Sequence, residues 1–179
     1  QGVLMTPRLH LFGFSPRRDI AANATPKYGD ADLVGIGANE RPLVPDDDWQ
    51  LVSPYGEFPH AKGLQIFGRS QAENIVAAYN SLRGRLGRAF RGLPIYVGHP
   101  DLDSKKWPDT KRYGKVDGLE AREDGLYCKP AWNDAGLENE KQGYHVYPSP
   151  LWGFRRHPRG IEPVQLLSIG LTNMPNIKS

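Results

Sequence analysis

Hydrophobic and polar residues alternate in short stretches along the chain. The stretch RLHLFGF, residues 8–14, alternates as a strand with one buried face does. The apolar stretch WQLVSPYGEF, residues 49–58, ends in Pro-Tyr-Gly, which predicts a strand followed by a turn. Gly, Pro, Asn and Asp punctuate residues 15–48 between them. We interpret that part as long loops with one short strand.

Residues 70–90, SQAENIVAAYNSLRGRLGRAF, have the periodicity of an amphipathic helix. Ser70 and Glu73 have the spacing of a capping box, in which each side chain binds a free backbone N–H at the helix start. Gly92 and Pro94 are expected to end the helix. Five apolar side chains should share its buried face: Ile75, Val76, Tyr79, Leu82 and Leu86.

Short strands dominate the chain after this helix. The stretch LPIYVGHPDLD predicts a strand that ends near His99. Residues 111–132 predict two strands joined across Glu123-Asp124-Gly125, because Asp-Gly favours the positive φ of a tight turn. Asn133 or Asp134 is expected to cap a helix that runs to about Gln142.

The last third of the chain predicts two more strands. The first contains YHVYPSPLWGF, the polar turn RRHPRG follows over residues 155–160, and IEPVQLLSIGLTNMP forms the final strand. Strands therefore outnumber helices. We expect an α+β fold built on a small β-barrel or a strongly curved, mostly antiparallel sheet with a few helices.

Length and composition are those of a single folded domain. With 179 residues, the chain is long enough to bury a core. We place a loop-rich N-terminal extension over residues 1–48, packed on a domain over residues 49–179. The lone Cys128 excludes an internal disulfide and fits a reducing compartment. No apolar run approaches the roughly 18 residues of a membrane helix, so we expect no membrane association.

Candidate chemistry lies in the segments YVGHPD, YPSPLW and LLSIGLTNMP. A serine hydrolase needs a hydroxyl, an imidazole base and a group that orients the base, and these come from any part of the chain. Pro148 and Pro150 hold Tyr147 and Ser149 extended, because proline disfavours the helical region for the residue before it. Ser149 is either a pre-positioned nucleophile or a purely structural serine.

The order of these segments resembles the Mu-like phage I protein family of prohead, or capsid maturation, proteases. The resemblance runs from WQLVSPYGEF through LPIYVGHPD, GKVDGLEAREDGLYCKPAWNDAG and YHVYPSPLW to LLSIGLTNMPNI, residues 49–177. The family is similar to other tailed-phage prohead proteases and, more distantly, to herpesvirus assemblin. The resemblance implies that residues 49–179 are an assemblin-like prohead protease domain.

The resemblance also implies roles for individual residues. Ser149 would be the nucleophile and His99 the general base. Ser168 occupies a position where related proteases carry an acidic residue, so Ser168 is expected to orient His99 as the third catalytic residue. Asp101 and Asp103 are alternatives for that role because they follow His99 closely in sequence.

Oxyanion stabilisation needs a donor other than the residue after the nucleophile, because Pro150 has no N–H. Arg155 and Arg156, or backbone N–H groups of the turn that they begin, are the candidates. As an alternative, the two arginines are solvated turn residues.

Other interpretations of the same residues stay open at lower weight. Ser168 would be the nucleophile if Ser149 is not. Cys128 would be a nucleophile only if it paired with His99, although lone cysteines are commonly just buried. Gly35 and Gly37 resemble a turn and lack the third glycine of a phosphate loop. A metal site is disfavoured because the candidate ligands lack tight zinc-like spacing: His99, Asp101, His145 and His157.

The implied function is that of a serine endopeptidase that cleaves phage scaffold and major capsid proteins, and itself, during prohead maturation. It needs no cofactor or metal. Because assemblin-like enzymes pair, a homodimer is expected. The implied location is the host cytoplasm, inside the assembling prohead. The net charge of +3 does not require nucleic acid. The alternative function is a non-catalytic structural or scaffolding component of the shell that retains the protease fold.

Overall fold

A computed structural model describes residues 34–37, 48–81, 86 and 92–173. The strand predicted over residues 8–14 and most of the predicted N-terminal extension lie outside these residues. The described part contains nine strands and two helices: β1 Val34–Ile36, β2 Gln50–Pro54, β3 Gly56–His60, β4 Gly63–Phe67, α1 Arg69–Asn80, β5 Leu93–Val97, β6 Gly114–Ala121, β7 Gly125–Trp132, α2 Asp134–Gln142, β8 Tyr147–His157 and β9 Gly160–Thr172.

The strands form one mixed sheet in the order β1-β8-β9-β5-β6-β7-β2, and β4, paired with β3, joins β9 elsewhere along its length. Most pairs are antiparallel, whereas β5 and β4 each run parallel to β9. The sheet curls into a half-barrel, so the predicted α+β class with a curved, mostly antiparallel sheet is confirmed. Likeness to assemblin stays a prediction.

The core fills the inside of this curved sheet. Trp152 of β8 is fully buried, and its ring lies 5.4 Å from that of Phe67, which ends β4. Ala72 and Ile75 of α1 pack into the same cluster. Burying an aromatic ring of this size removes a large apolar area from water, so these contacts fix the central part of β8.

The helix α1 begins and ends at different residues from those predicted. Its N-cap is Gly68, whose backbone N–H donates to the Gln71 side chain, so the predicted capping box of Ser70 and Glu73 is wrong. Glu73 instead pairs with Arg69 one turn earlier. The helix ends at Asn80, and the predicted continuation to residue 90 falls largely outside the described residues.

The predicted apolar face of this helix is confirmed in part. Ile75 is buried, and Val76 and Tyr79 pack against the core. Leu86 is 56% exposed, so its predicted burial is wrong, and Leu82 lies outside the described residues.

The hairpin of β6 and β7 is confirmed, but its turn differs from the expected one. Neither Asp124 nor Gly125 has a positive φ. Glycine is needed at position 125 for space, because a Cβ there would lie 2.5 Å from the Ser53 carbonyl oxygen of β2. Asn133 caps α2 as expected, since its side chain accepts the Gly136 N–H.

Two predicted turns are strands in the structure. Gly35 lies within β1 and Gly37 directly follows it, so the stretch GIG extends along β8. Arg155 and Arg156 belong to β8, and the β8–β9 turn consists of residues 158 and 159 alone. The first error reflects pairing with the distant strand β8, and the second reflects a hairpin turn that is only two residues long, so that strand pairing overrides the local turn signals of Gly and Pro.

Candidate active site

Ser149 lies buried near the start of β8, between β1 and β9. It pairs with Gly170 of β9 on one side. On the other side, the Gly37 N–H donates to the Pro150 carbonyl over 2.9 Å. Pro150 has no N–H to return to Gly37. The Ser149 hydroxyl takes that place and donates to the Gly37 carbonyl oxygen over 2.9 Å.

His99 lies just beyond the end of β5, as predicted. β5 runs parallel to β9, with Tyr96 opposite Gly170. Gly98 then turns the chain with φ +66°, a conformation that favours glycine, and its N–H donates to the Leu171 carbonyl. The Trp107 ring contacts the imidazole edge-on at 5.7 Å between ring centroids, so it packs against the ring of His99.

The two predicted catalytic side chains meet in the structure. His99 Nε2 lies 3.1 Å from Ser149 Oγ, and each residue is only 3% exposed. This distance is within reach for proton transfer from a nucleophile to its base. The single hydroxyl proton has two acceptors, the Gly37 carbonyl oxygen and unprotonated Nε2 of His99. A shift of that proton from the first to the second would ready Ser149 for attack.

Burial keeps the imidazole of His99 neutral. Desolvation, with a smaller effect of the positive charge of Lys106, lowers the pKa of His99 to about 4 from 6.5. At pH 7 the ring is therefore unprotonated and can accept a proton from Ser149.

Because of this low pKa, the free energy of unfolding should decrease as the pH is lowered. The unfolded chain takes up the His99 proton near pH 6.5, whereas the native state resists it down to about pH 4. Stability is therefore fully present above pH 6.5 and falls as the pH drops toward 4. Between pH 7 and pH 5 the wild type should lose about 2 kcal/mol more than His99→Gln. Urea unfolding of both proteins at the two pH values measures the difference.

Other groups that titrate in this range are present in both proteins of that comparison. Burial also lowers the pKa of His60, and the Gln71 side chain, through its hydrogen bond, lowers that of Glu162. Because these groups are shared, only the His99 contribution remains in the difference. Equal losses in the two proteins would contradict a buried, neutral His99.

Ser168, the predicted third catalytic residue, does not form the hydrogen bond to His99 that was expected of it. Ser168 is fully buried and lies two residues before Gly170 on the same face of β9. Its Oγ and His99 Nδ1 each have no hydrogen-bond partner among the described residues. The expected hydrogen bond from the His99 ring to Ser168 is thus not formed.

The two aspartates differ in their surroundings. Asp103 accepts the backbone N–H groups of Lys105 and Lys106, so it stabilises a local turn. Both carboxylate oxygens of Asp101 are buried and have no partner within the described part of the chain. Neither carboxylate hydrogen-bonds to the His99 ring within the described residues, although the backbone N–H of Asp103 donates to the His99 carbonyl over 3.1 Å.

The predicted oxyanion residues lie away from Ser149. Arg155 is six positions along β8, which is roughly 20 Å at the rise of an extended strand. Its Nε donates over 2.7 Å to Glu162 of the opposing strand β9. Arg156 is one residue farther and exposed. β8 continues through the segment that was expected to turn, so the turn that would have brought these donors toward Ser149 is not formed, and their oxyanion role stays a prediction.

Cys128 does not have the properties of a nucleophile. It lies in β7, opposite Leu119 of β6, and is buried. Burial raises the pKa of its thiol to about 12, so the reactive thiolate is scarce at neutral pH. The alternative pairing with His99 is not formed.

Sequence interpretation missed two glycines at this site. A Cβ on Gly170 would lie 2.7 Å from both Cε1 and Nε2 of His99, so glycine here makes room for the ring. Gly37 supplies the carbonyl that Ser149 contacts. The available signal for Gly170 was a lone glycine inside a strand pattern, which indicates close approach of another group.

Throughout residues 34–37, 48–81, 86 and 92–173, no three His, Cys, Asp or Glu side chains form a group that could hold a metal. Neither α1 nor α2, the helices of the described part, is long and apolar enough for a membrane crossing. No curated protein and no solved structure matches the chain.

One family does match, over most of the chain. Residues 50–179 fit the family model of the Mu-like prophage I protein, N-terminal domain. The match begins at β2 and includes both His99 and Ser149. The chain therefore belongs to the Mu-like prophage I protein family.

Proposed function

We propose that this phage-related protein is a serine endopeptidase in which Ser149 is the nucleophile and His99 the general base. The observation that carries the proposal is the 3.1 Å approach of His99 Nε2 to Ser149 Oγ inside the sheet. The two residues are 50 positions apart, and separate strands bring them together. The neutral imidazole supports the same assignment, because only the unprotonated ring can take the proton.

The proposed reaction follows from these two groups. Ser149 Oγ attacks the substrate carbonyl carbon while His99 Nε2 takes the hydroxyl proton. His99 then returns that proton to the leaving amine as the C–N bond breaks, which leaves an acyl-enzyme. Water, deprotonated by the same imidazole, hydrolyses the ester. Because Pro150 has no N–H, the oxyanion must be stabilised by a donor outside the position after Ser149.

A second candidate is a structural shell protein, and one observation favours it. The Ser149 hydroxyl already satisfies the Gly37 carbonyl, which Pro150 leaves without its ladder partner. A serine retained for this purpose alone would need no reactivity. The two candidates therefore differ in whether Ser149 reacts.

Active-site labelling separates the candidates. Wild-type protein and Ser149→Ala are treated with a fluorophosphonate at pH 7.5, and the modified peptide is located by mass spectrometry. We expect the label on Ser149 and none in the variant. Ser168→Ala should still be labelled. A folded wild type that takes no label, or takes it on Ser168, would contradict the proposal.

The proposed substrates and setting come from the resemblance to prohead proteases. Scaffold and major capsid proteins of the phage are the proposed substrates, a homodimer is the proposed active form, and the assembling prohead in the host cytoplasm is the proposed location. Co-expression with those two proteins, followed by intact-mass measurement, tests the substrates directly: Ser149→Ala should leave both at full length.

Removing either arginine of β8 should leave the labelling rate within about twofold of wild type, because at least six residues, roughly 20 Å of extended strand, separate them from Ser149. The variants are Arg155→Ala and Arg156→Ala. Arg155→Ala should also lower stability modestly, since it removes a partner of the buried Glu162 carboxylate. The rate of fluorophosphonate labelling and the urea midpoint are the measurements. A tenfold loss of labelling in either folded variant would restore an oxyanion role.

A further inference from the structure

The strand β1 lies along β8 as a bound peptide strand would. Its residues pair antiparallel with β8, Gly35 opposite Trp152 and Ile36 opposite Leu151. The ladder continues past the strand end through the Gly37 N–H and the Pro150 carbonyl. Proteins often bind extended peptides in this way, by adding a strand to a sheet edge. Here β1 is the edge strand beside the strand that carries Ser149.

The carbonyl at the end of this strand faces the proposed nucleophile. Ser149 Oγ is 2.9 Å from the Gly37 carbonyl oxygen. Because a C=O bond is about 1.2 Å long, the Gly37 carbonyl carbon lies within roughly 4 Å of Oγ. In an ordinary antiparallel ladder, a backbone N–H at position 150 would donate a hydrogen bond to this carbonyl. Proline removes that donor, so the carbonyl is left to the serine.

Next to β8, the chain of β1 has room only for glycine at two alternate positions, 35 and 37. A Cβ on Gly37 would lie 2.6 Å from Nε1 of the fully buried Trp152. A Cβ on Gly35 would lie 2.6 Å from His60 Nε2 and 2.8 Å from Phe154 Cε2. Neither glycine has a positive φ, so glycine is needed there for space and not for backbone conformation. Gly35 and Gly37 share one face of the strand, as residues two apart do.

We propose that β1 and Gly37 occupy the acyl side of the substrate cleft, so that the peptide bond after Gly37 is a cleavage site of this chain. Substrates then bind as a strand antiparallel to β8 and carry the pattern glycine-any-glycine before the bond that is cut. This inference rests on the proposed endopeptidase function and specifies which peptide sequence that enzyme cleaves.

The step is ordinary acyl transfer. Ser149 Oγ bonds to the Gly37 carbonyl carbon, and the hydroxyl proton passes to His99 Nε2. The bond from that carbon to the nitrogen of Ala38 breaks, and His99 protonates the departing amine. Water hydrolyses the Gly37 ester, which restores Ser149 and leaves residues 1–37 with a new carboxylate.

Intact-mass measurement of the full chain over time tests the proposal. Wild type should separate into residues 1–37 and 38–179, with a new amino terminus at Ala38, and Ser149→Ala should stay whole. Gly37→Ala should slow cleavage at least tenfold, because the added methyl group cannot fit against Trp152. Its Ser149 should react faster with a fluorophosphonate, since β1 no longer seats over it.

Gly153→Ala is the control with the same added methyl group, because a Cβ on this β8 residue makes only an ordinary 3.5 Å contact with Gln165 of β9, on the side away from β1 in the strand order. It should cleave like wild type. Gly35→Ala tests the second position independently and should also slow cleavage. Circular dichroism verifies that each variant is folded.

The outcomes separate this inference from the proposed function. A wild type whose Ser149 is labelled while the bond after Gly37 stays intact overturns the inference alone. So does cleavage at the normal rate in both Gly37→Ala and Gly35→Ala. A wild type that is neither labelled nor cut overturns both proposals.

Discussion

Replacing His99 by alanine is expected to slow the reaction of Ser149 with a fluorophosphonate by roughly 10³-fold, within the usual range for loss of a general base. The wild-type ring lies 3.1 Å from Ser149 Oγ and is neutral at pH 7, with its pKa lowered to about 4. Without it, the hydroxyl keeps the Gly37 carbonyl as its one acceptor among the described residues, and a carbonyl does not take up a proton. Labelling rates at pH 7.5, measured on folded protein, give the ratio.

Two further variants separate base catalysis from packing. His99→Gln preserves much of the side-chain volume and a polar end but cannot take up a proton, so it should be as slow as the alanine variant. His145→Ala removes another partly buried histidine, one that hydrogen-bonds to Asn139 away from the site, and should label at the wild-type rate. A His99→Gln protein that reacts as fast as wild type would show that His99 has a structural role only.

Much of the fold could be predicted from the sequence because its signals were local. The two strands joined near Asp124, the strand before His99 and the cap of α2 at Asn133 each depend on a few neighbouring residues. The single strand predicted over residues 49–58 is two strands in the structure, β2 and β3, which are separated at Tyr55. Within such stretches, hydrophobic alternation and capping residues agree with the tertiary structure.

The errors come from strand pairing and side-chain contacts, two of them between distant parts of the chain. GIG resembles a turn in isolation, but β8 supplies an edge with which it pairs. Arg155 and Arg156 look like turn residues, but the facing strand β9 extends their pairing to His157. The cap of α1 shifted to Gly68 because the Gln71 side chain also reaches Glu162 of β9. The partners of GIG and of Gln71 lie far away in the sequence and are not visible in the local pattern.

The sequence predicts the central pair of the candidate site, His99 and Ser149, but not the residues around that pair. β9 lies between β5 and β8 and thereby brings His99 to Ser149. That adjacency follows from sheet topology, which the order of motifs suggested only through a family resemblance. Ser168 was placed on the correct strand, yet its Oγ forms no hydrogen bond within the described residues. Orienting contacts depend on side-chain positions to within about 0.5 Å, which sequence patterns do not specify.

The structure also explains why Ser149 stands between two prolines. Both prolines are buried in β8, where proline is normally excluded because it lacks a ladder donor. At position 150 the missing donor frees the Gly37 carbonyl for the serine hydroxyl. The same proline that stiffens the backbone of Ser149 thus determines which carbonyl the hydroxyl faces.

Replacing Gly170 by alanine is expected to lower the labelling rate of Ser149 by about 100-fold, because a displacement of the base of about 1 Å costs that much. The added Cβ would lie 2.7 Å from His99 Cε1 and Nε2 and 2.4 Å from the Gly98 carbonyl oxygen. The Gly98 backbone is held to β9 by its hydrogen bond to Leu171, so we expect the ring to be displaced from its position beside Ser149. Labelling kinetics of the folded variant measure the loss.

A double variant shows whether the loss acts through His99. In a His99→Ala background, Gly170→Ala should slow labelling little further, because the ring that it displaces is already absent. Gly153→Ala adds the same methyl group to the neighbouring strand at an ordinary 3.5 Å contact and should label at the wild-type rate. If Gly170→Ala lowers the labelling rate by the same factor with and without His99, the methyl group acts on Ser149 or on the strand itself. The role of Gly170 in admitting the imidazole would then be wrong.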